Sequence, residues 1–466
     1  MSSVDVNDGR SLSRDIGLLG AVSTVVAGTL GAGLFVTLGT ASSTTGPSVI
    51  LVVVASGLLA MCIALNYGWM ATIFPAAAGS YAYVSRTFDS RLPGFLVTWS
   101  KWLGYMAADA VLALGFGSYL QVFYPSVDAA LAGFGLLTVL FLVNLVGSKG
   151  YSVSQNVIFG FLILSILVLV VPGLANVDAA NYSPFFTGGF DGFVAAAVPL
   201  FYAYIGIAVA GQMGAEVKNP SRNLPLAMAG GTAILIVLYV LTSVVIYGVV
   251  SDYTVLADSA RPLATAAEAF LGDIGTTIVA VGGLLATASS VHAVMAAGIK
   301  MPYSWAWDEV FPKKFSEVSD RFGTPHWSLL TLYLVASGLT FWSTGLSQAI
   351  GIATFSYLIA YAAVSVTVLY VLLTGSSLAH EAGFSRPLLL GVTGLVGALG
   401  AGGLLTQAYQ GSLSIYVPWI LVGIVVFAVY WYRGQQKEVD VEAILATLPG
   451  VPSDEYDPAI RRTGDD

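Results

Sequence analysis

Asp109 is the residue that most demands a chemical explanation. It stands 16 positions after Pro93 in an apolar run over about 93–121, which places it roughly 24 Å along a helix and well inside a hydrocarbon layer about 30 Å thick. A carboxylate at that depth is costly and defaults to function. It can carry a proton or pair with a cationic part of a substrate; satisfied by nearby Ser, Thr or Tyr hydroxyls, it would be a packing residue instead. His292, in another apolar run, has the side chain that ordinarily titrates near neutral pH, although a packed or hydrogen-bonded ring is the commoner membrane histidine. Tyr202 and Tyr204 flank the run Ala203-Tyr204-Ile205-Gly206-Ile207, where their rings could close over a ligand.

Main-chain groups are the second source of chemistry. In hydrocarbon every N–H and C=O must be paired internally, so a helix comes undone at mid-depth only where it lines a cavity or ligand site. The run Gly28-Thr29-Leu30-Gly31-Ala32-Gly33-Leu34-Phe35 lies near the centre of the first apolar segment, and Gly206, followed by Gly211 and Gly214, lies in the sixth. Glycines also let membrane helices pack closely. Their placement favours the first reading, because the two runs fall in the first helix of each of two five-helix halves, as in transporters built from inverted repeats. Half-helix N-termini there attract a carboxylate, and carbonyls freed alongside can hold an ammonium or a cation. The substrate-binding residues expected on these grounds are Thr29, Gly31, Ala32, Gly33, Asp109, Tyr202, Ala203, Tyr204 and Gly206.

The elements that must position these residues are membrane helices. Of 466 residues, 56% are apolar and 9% charged, against about 25% charged in soluble domains. Apolar stretches long enough to cross a bilayer occur at about 16–40, 47–74, 93–121, 130–147, 153–175, 192–214, 225–250, 263–299, 327–343, 347–374, 388–406 and 414–432. The expectation is an all-α polytopic membrane protein with about 12 transmembrane helices. A first inverted repeat spans 16–175, a second 192–374, and two further helices 388–432, between a polar N-terminus (1–15) and an acidic tail (433–466). Twelve crossings put both termini on one side. With that side cytoplasmic, only Arg261 of the 18 Lys and Arg falls outside, as short cytoplasmic loops require; Lys101 is read as lying at a helix start, and Trp99 and Trp102 as interfacial anchors. No cleavable leader is expected before the first helix.

Other chemistries lack their residues. One cysteine, Cys62, and three scattered histidines, His292, His326 and His380, build no metal cluster. A membrane enzyme would want clustered acids or a nucleophile with its base, a channel would show a polar stripe, and ATP-driven transport would need a Gly-x-x-x-x-Gly-Lys motif. Nucleic-acid binding is not expected of so apolar a chain. Residues 434–466 hold eight acids against three bases, and the tail reads as a flexible cytoplasmic extension.

Up to about residue 432 the chain resembles the amino acid–polyamine–organocation (APC) permeases, of the leucine-transporter fold. Gly31-Ala32-Gly33-Leu34-Phe35 looks like the family's break in the first helix. Ala64-Leu65-Asn66-Tyr67-Gly68-Trp69 through Phe74-Pro75-Ala76-Ala77-Ala78-Gly79-Ser80-Tyr81-Ala82-Tyr83 is similar to the second-helix signature, with Trp69 where an acid is usual. Glu216-Val217-Lys218-Asn219-Pro220, with Arg222 and Pro225, matches the motif closing the sixth helix, and Gly323-Thr324-Pro325 the start of the ninth.

The resemblance implies a secondary active amino acid transporter of the cell membrane, with no cofactor beyond a coupling ion, Na⁺ or H⁺, and with the amino acid and the lipid bilayer as partners. Spans 1, 2, 6 and 7 would rock against 3, 4, 8 and 9. A sodium ion would sit among Ala27 and Leu30 carbonyls and Ala286, Ser289 and Ser290; serines on membrane helices also bond back to the preceding turn. The lysine that fills this site in some proton-coupled members would fall at Leu162, where none is present. Asp109 serves either as a proton carrier or beside the substrate. Glu216, Lys218, Arg222 and Lys300, the last in place of an arginine, would form an inner gate or a solvated edge cluster. Ala208, where cationic-substrate relatives place a carboxylate, points to a neutral amino acid; Asp109 points the other way, and the apolar, aromatic walls favour neutral. Cation-coupled symport is expected, with exchange as the alternative.

Overall fold

The computed structural model describes residues 12–146, 151–319, 321–342, 346–374, 386–436 and 439–452. Arg10, Lys149, His380 and the acids from Asp454 onward lie outside them. Among the described residues every regular element is a helix. The first span is α1 (Leu18–Ala32), a π turn (Gly33–Thr37) and α2 (Leu38–Thr45). α3 (Val49–Ile73) follows and ends at Phe74-Pro75, where the proline ring bars further helix. α4 (Gly79–Thr87) is short; α5 (Arg91–Leu120), α6 (Ala129–Val146) and α7 (Tyr151–Ala175) complete the first half.

The second half opens with α8 (Gly189–Tyr202), then a 3-10 turn (Ile205–Ala208), the four-residue α9 (Val209–Gln212) and another 3-10 turn (Gly214–Glu216). α10 (Pro220–Val249) takes Pro220 in its first turn, where the missing N–H costs nothing. α11 (Tyr253–Ala257) and α12 (Pro262–Glu268) lie in the loop before α13 (Gly272–Gly298) and α14 (Lys300–Trp307). α15 (His326–Trp342), α16 (Leu346–Thr374), α17 (Pro387–Gln436) and α18 (Val441–Leu445) close the chain.

Ten helical stretches are long and apolar enough to cross a membrane among the described residues. α6, apolar over Ala129–Leu145, and the 17-residue α15 are shorter, spanning roughly 26 Å at 1.5 Å per residue. The two expected C-terminal helices lie within α17 as the described apolar stretches Pro387–Ala408 and Leu413–Gln436. Its ends nonetheless run in opposite directions: Thr393 bonds Asn66 and Gly400 approaches Leu59 along α3, whereas Tyr416 packs on Phe355, Trp419 stacks on Trp99 and Phe427 meets Phe95 back toward the start of α5.

Three sequence expectations change. Trp99 and Trp102 are not interfacial anchors but buried members of an aromatic cluster with Phe95, Trp305 and Trp419. Lys101 is not at a helix start, because α5 begins at Arg91, and the side chain is fully buried in its third turn. The tail is not wholly a solvated extension. Leu445, Leu448 and Val451 are buried, the Pro449 carbonyl accepts from Ala77 N–H at 2.8 Å, and the Gly450 carbonyl from Leu12 N–H at 3.0 Å. An apolar residue at every third position in 445–451 supplies the seam that the overall acidity hides. The two described ends of the chain therefore meet on one face.

Candidate functional site

The sixth span breaks for a local reason. Pro199 lacks an N–H for the Ala195 carbonyl and clashes with it, and the α-helix ends three residues later at Tyr202. The first span does not unwind as expected: Gly33 N–H still bonds the Thr29 and Leu30 carbonyls, and the chain passes through a π turn, a local widening common at functional sites. The two irregular regions touch. A Cβ on Gly206 would lie 2.3 Å from Thr29 Oγ1, and one on Gly33 2.5 Å from the Ala203 carbonyl oxygen, so both glycines are needed for close approach.

The main-chain groups at these breaks have partners within the protein. The Tyr239 hydroxyl lies 2.9 Å from the Ala203 carbonyl and 3.1 Å from that of Thr29. Tyr361 donates to the Ile205 carbonyl, and Gly31 N–H donates to Ser290 Oγ at 3.1 Å. The freed dipoles expected to grip a substrate are thus occupied in this conformation. Tyr239 and Tyr361 were not singled out from the sequence; what marks them is only their position on helices that pack against the breaks.

The unsatisfied groups are side chains. Both Asp109 oxygens, fully buried in α5, have no hydrogen-bond partner in the protein, and the buried side chains of Tyr105, one turn earlier, and Tyr357 on α16 lie against each other nearby. Asp109 lies within electrostatic reach of Tyr105, Tyr202 and Tyr357. Buried polar atoms are normally paired, so such a cluster is a place where a polar ligand fits. Tyr202 faces it, its hydroxyl 3.5 Å from the Ala108 carbonyl. Tyr204 turns away and donates to the Val53 carbonyl at 3.1 Å, so it does not cover the same space.

The residues expected to coordinate a cation meet at the α1–α13 contact. Ser290 Oγ donates to the Ala27 carbonyl at 2.9 Å, and the Ala286 carbonyl presses on Gly31. Leu30's carbonyl is held by Gly33 N–H, and Ser289 is buried on the same helix. Two oxygens of this set already bond each other, and the Gly31 N–H directed at Ser290 is a donor that no cation accepts.

Of the four gate residues, the structure joins two: Lys300 Nζ lies 2.9 Å from Glu216 Oε2. Lys218 and Arg222 are exposed, because Pro220 turns the chain into α10. The recess around the pair, bounded by Met213, Ile299 and Pro325, encloses about 20 Å³; one on the opposite side, by Ala107, Leu339 and Ile352, also encloses about 20 Å³. Each takes a water, not an amino acid. His292 is half-buried on α13.

A second ionic feature of that face carries no sequence flag. Arg86 is paired with both Asp308 oxygens, and also donates to the Thr447 carbonyl from Nε at 3.1 Å and Nη2 at 3.0 Å. Tyr81 donates to Asp308 at 2.7 Å, and Arg91 to its carbonyl at 2.9 Å.

Comparison with known proteins gives this geometry a context. A family model described as amino acid permease matches residues 16–430. The chain is 28% identical over 349 residues to the methylthioribose transporter of Bacillus subtilis, covering 71% of this chain and 75% of that one. It is 27% identical to the branched-chain amino acid permease BcaP of Lactococcus lactis, covering 84% and 89%. It is also 27% identical to the vacuolar cationic amino acid transporter 4 of Arabidopsis thaliana, covering 78% and 64%.

Proposed function

Proceeding from a chain that belongs to the amino acid permease family, a multi-pass membrane protein and not an enzyme, we propose that it carries a neutral amino acid across the cell membrane by alternating access, driven by a coupled cation, with both termini cytoplasmic. The observation that carries this reading is the Asp109 carboxylate, fully buried and without a protein partner, within electrostatic reach of Tyr202 at the break of the sixth span. A substrate ammonium supplies the missing partner, and the Tyr105 and Tyr357 hydroxyls supply further contacts. Ala208, in the sixth-span break, offers no carboxylate to a cationic side chain, which favours a neutral substrate.

The glycine contacts support the alternating-access part. The π turn and the sixth-span break are in contact, and these irregular segments are where helix halves can swing. Uptake into proteoliposomes of labelled leucine, alanine and arginine tests the reading. Saturable counterflow of the neutral substrates, competed by unlabelled ones, is expected. A preference for arginine overturns the neutral assignment, and flux that does not saturate overturns the carrier mechanism. Exchange that ignores every cation gradient identifies an exchanger instead of a symporter.

A further inference from the structure

Lys101 is fully buried, and no carboxylate pairs with it among the described residues. Its ammonium donates to Ser80 Oγ at 2.9 Å and the Tyr67 hydroxyl at 3.3 Å. Four tyrosine rings surround it, with centroids at 4.9 Å (Tyr67), 5.2 Å (Tyr361), 5.6 Å (Tyr357) and 5.9 Å (Tyr105). The facing titratable groups are those tyrosines, from α3, α16 and its own helix; α4 presents Ser80, and α9 presents Gln212, whose Nε2 donates to Ser80 Oγ at 3.0 Å. Lys101, Tyr105 and Asp109 form one stripe along α5, the lysine about 12 Å from the aspartate along the axis.

Ring faces stabilise a cation, but they do not hold its proton as a carboxylate would. We propose that Lys101 is the proton-binding site of transport, an inference that rests on the transporter reading above and assigns its coupling ion.

The shell explains how the proton is released. Lys101 and Tyr105 stand on the long, continuous α5, whereas Ser80 is tied to α9, a four-residue helix between two irregular turns. Ser80 N–H donates to Gln212 Oε1 at 3.4 Å, and Ala78 N–H to the Gln212 carbonyl at 2.9 Å. When α9 swings with the break, α4 and Gln212 leave together and water reaches the ammonium. One N–H bond then breaks, its electron pair stays on nitrogen, and the proton passes to water on that side. The neutral amine regains a proton from water admitted on the other side, so one proton crosses per cycle. Asp109 stays with the substrate ammonium.

The test uses full-length protein in sodium-free proteoliposomes loaded with a pH-sensitive dye, with labelled leucine as probe, or alanine if leucine is not carried. Wild type is expected to accumulate the probe down an imposed proton gradient and to acidify the lumen as it does so. Lys101→Met and Lys101→Arg are expected to keep counterflow at equal pH within about threefold while losing accumulation and acidification by at least about tenfold. Retained acidification in either variant overturns the proposal, as does wild-type accumulation driven by sodium alone. A raised KM with unchanged proton movement also overturns it, and makes Lys101 a substrate-positioning residue. If both variants lack counterflow, Ser80→Ala decides: the pH midpoint of uptake moves by at least about half a unit if Lys101 carries the proton, and an unmoved midpoint overturns the assignment. Counterflow absent from wild type marks failure of the transporter reading itself, and this inference falls with it.

Discussion

Two buried cations on this chain are treated in opposite ways. Arg86 meets both oxygens of Asp308 and the carbonyl of Thr447, while Tyr81 satisfies the carboxylate further. Lys101 has two hydroxyls and four rings, and Asp109, two turns on, has no partner at all. Both sites are fully buried, so burial alone does not separate them. What separates them is whether the protein completes its own electrostatics. The Arg86–Asp308 pair joins α4, the end of α14 and the tail in one fixed geometry, and asks for nothing more. The α5 stripe is left incomplete, and an incomplete buried site persists only if something that comes and goes completes it.

That contrast can be broken most forcefully at the paired site. Arg86→Met strands the Asp308 carboxylate and is expected to destabilise the protein by about 3–5 kcal/mol, read as a large drop in thermal unfolding temperature in detergent. Arg86→Met with Asp308→Leu should recover most of the loss, since replacing both partners removes the stranded charge. Lys101→Met strands no carboxylate, so its cost should stay within about 1.5 kcal/mol. Equal losses at the two sites would dissolve the distinction.

Asp109→Asn sharpens the comparison from the other side. It keeps the volume and removes the charge, so stability should hold or rise, because no protein group compensates the buried carboxylate. Saturable uptake should fall by at least about tenfold, equivalent to 1.4 kcal/mol of lost binding. A destabilised but fully active variant would show that Asp109 is a packing residue, satisfied in states other than this one.

These two sites were unequally legible in the sequence. Asp109 stood out because a carboxylate inside an apolar run is costly, and the sixth-span break because Gly206, Gly211 and Gly214 fall close together in one apolar run. Lys101 was hidden by the same charge count that orients the chain: near the basic end of a helix, a snorkelling lysine and a buried one have the same sequence signature. The tyrosine cage comes from α3, α5 and α16, and no local pattern reports that three distant helices converge. The first-span glycines signalled an irregularity, but not that it would be a π turn whose groups bond to Tyr239 and Ser290. The docked tail was obscured by averaging, since the acids around it dominate the composition although Leu445 and the run 448–451 are buried.

The tail gives a smaller effect. Truncation after Asp440 removes the Thr447 acceptor from Arg86 and exposes the surface under Leu448. The Asp308 bonds remain, so the loss should be about 1–3 kcal/mol, below that of Arg86→Met. A truncated protein as unstable as Arg86→Met would mean that the tail, not the ion pair, holds that face together.

Ser290→Ala tests whether the α1–α13 contact belongs with the complete or the incomplete site. The hydroxyl donates to the Ala27 carbonyl and accepts from Gly31 N–H, so its removal strands one acceptor and one donor at a helix contact too tight for water. The expected cost is about 1–3 kcal/mol, less whatever bonding within α1 the two groups recover. If Lys101 carries the coupling proton, proton-driven uptake should survive at reduced rate with its pH midpoint unchanged, because the serine acts only as a tie between helices. Should uptake instead require sodium, and this variant raise the sodium concentration needed for half-maximal rate, the contact would be a cation site that opens during the cycle. The buried lysine would then be a structural cation after all, and the contrast with Arg86 would be one of bonding style alone.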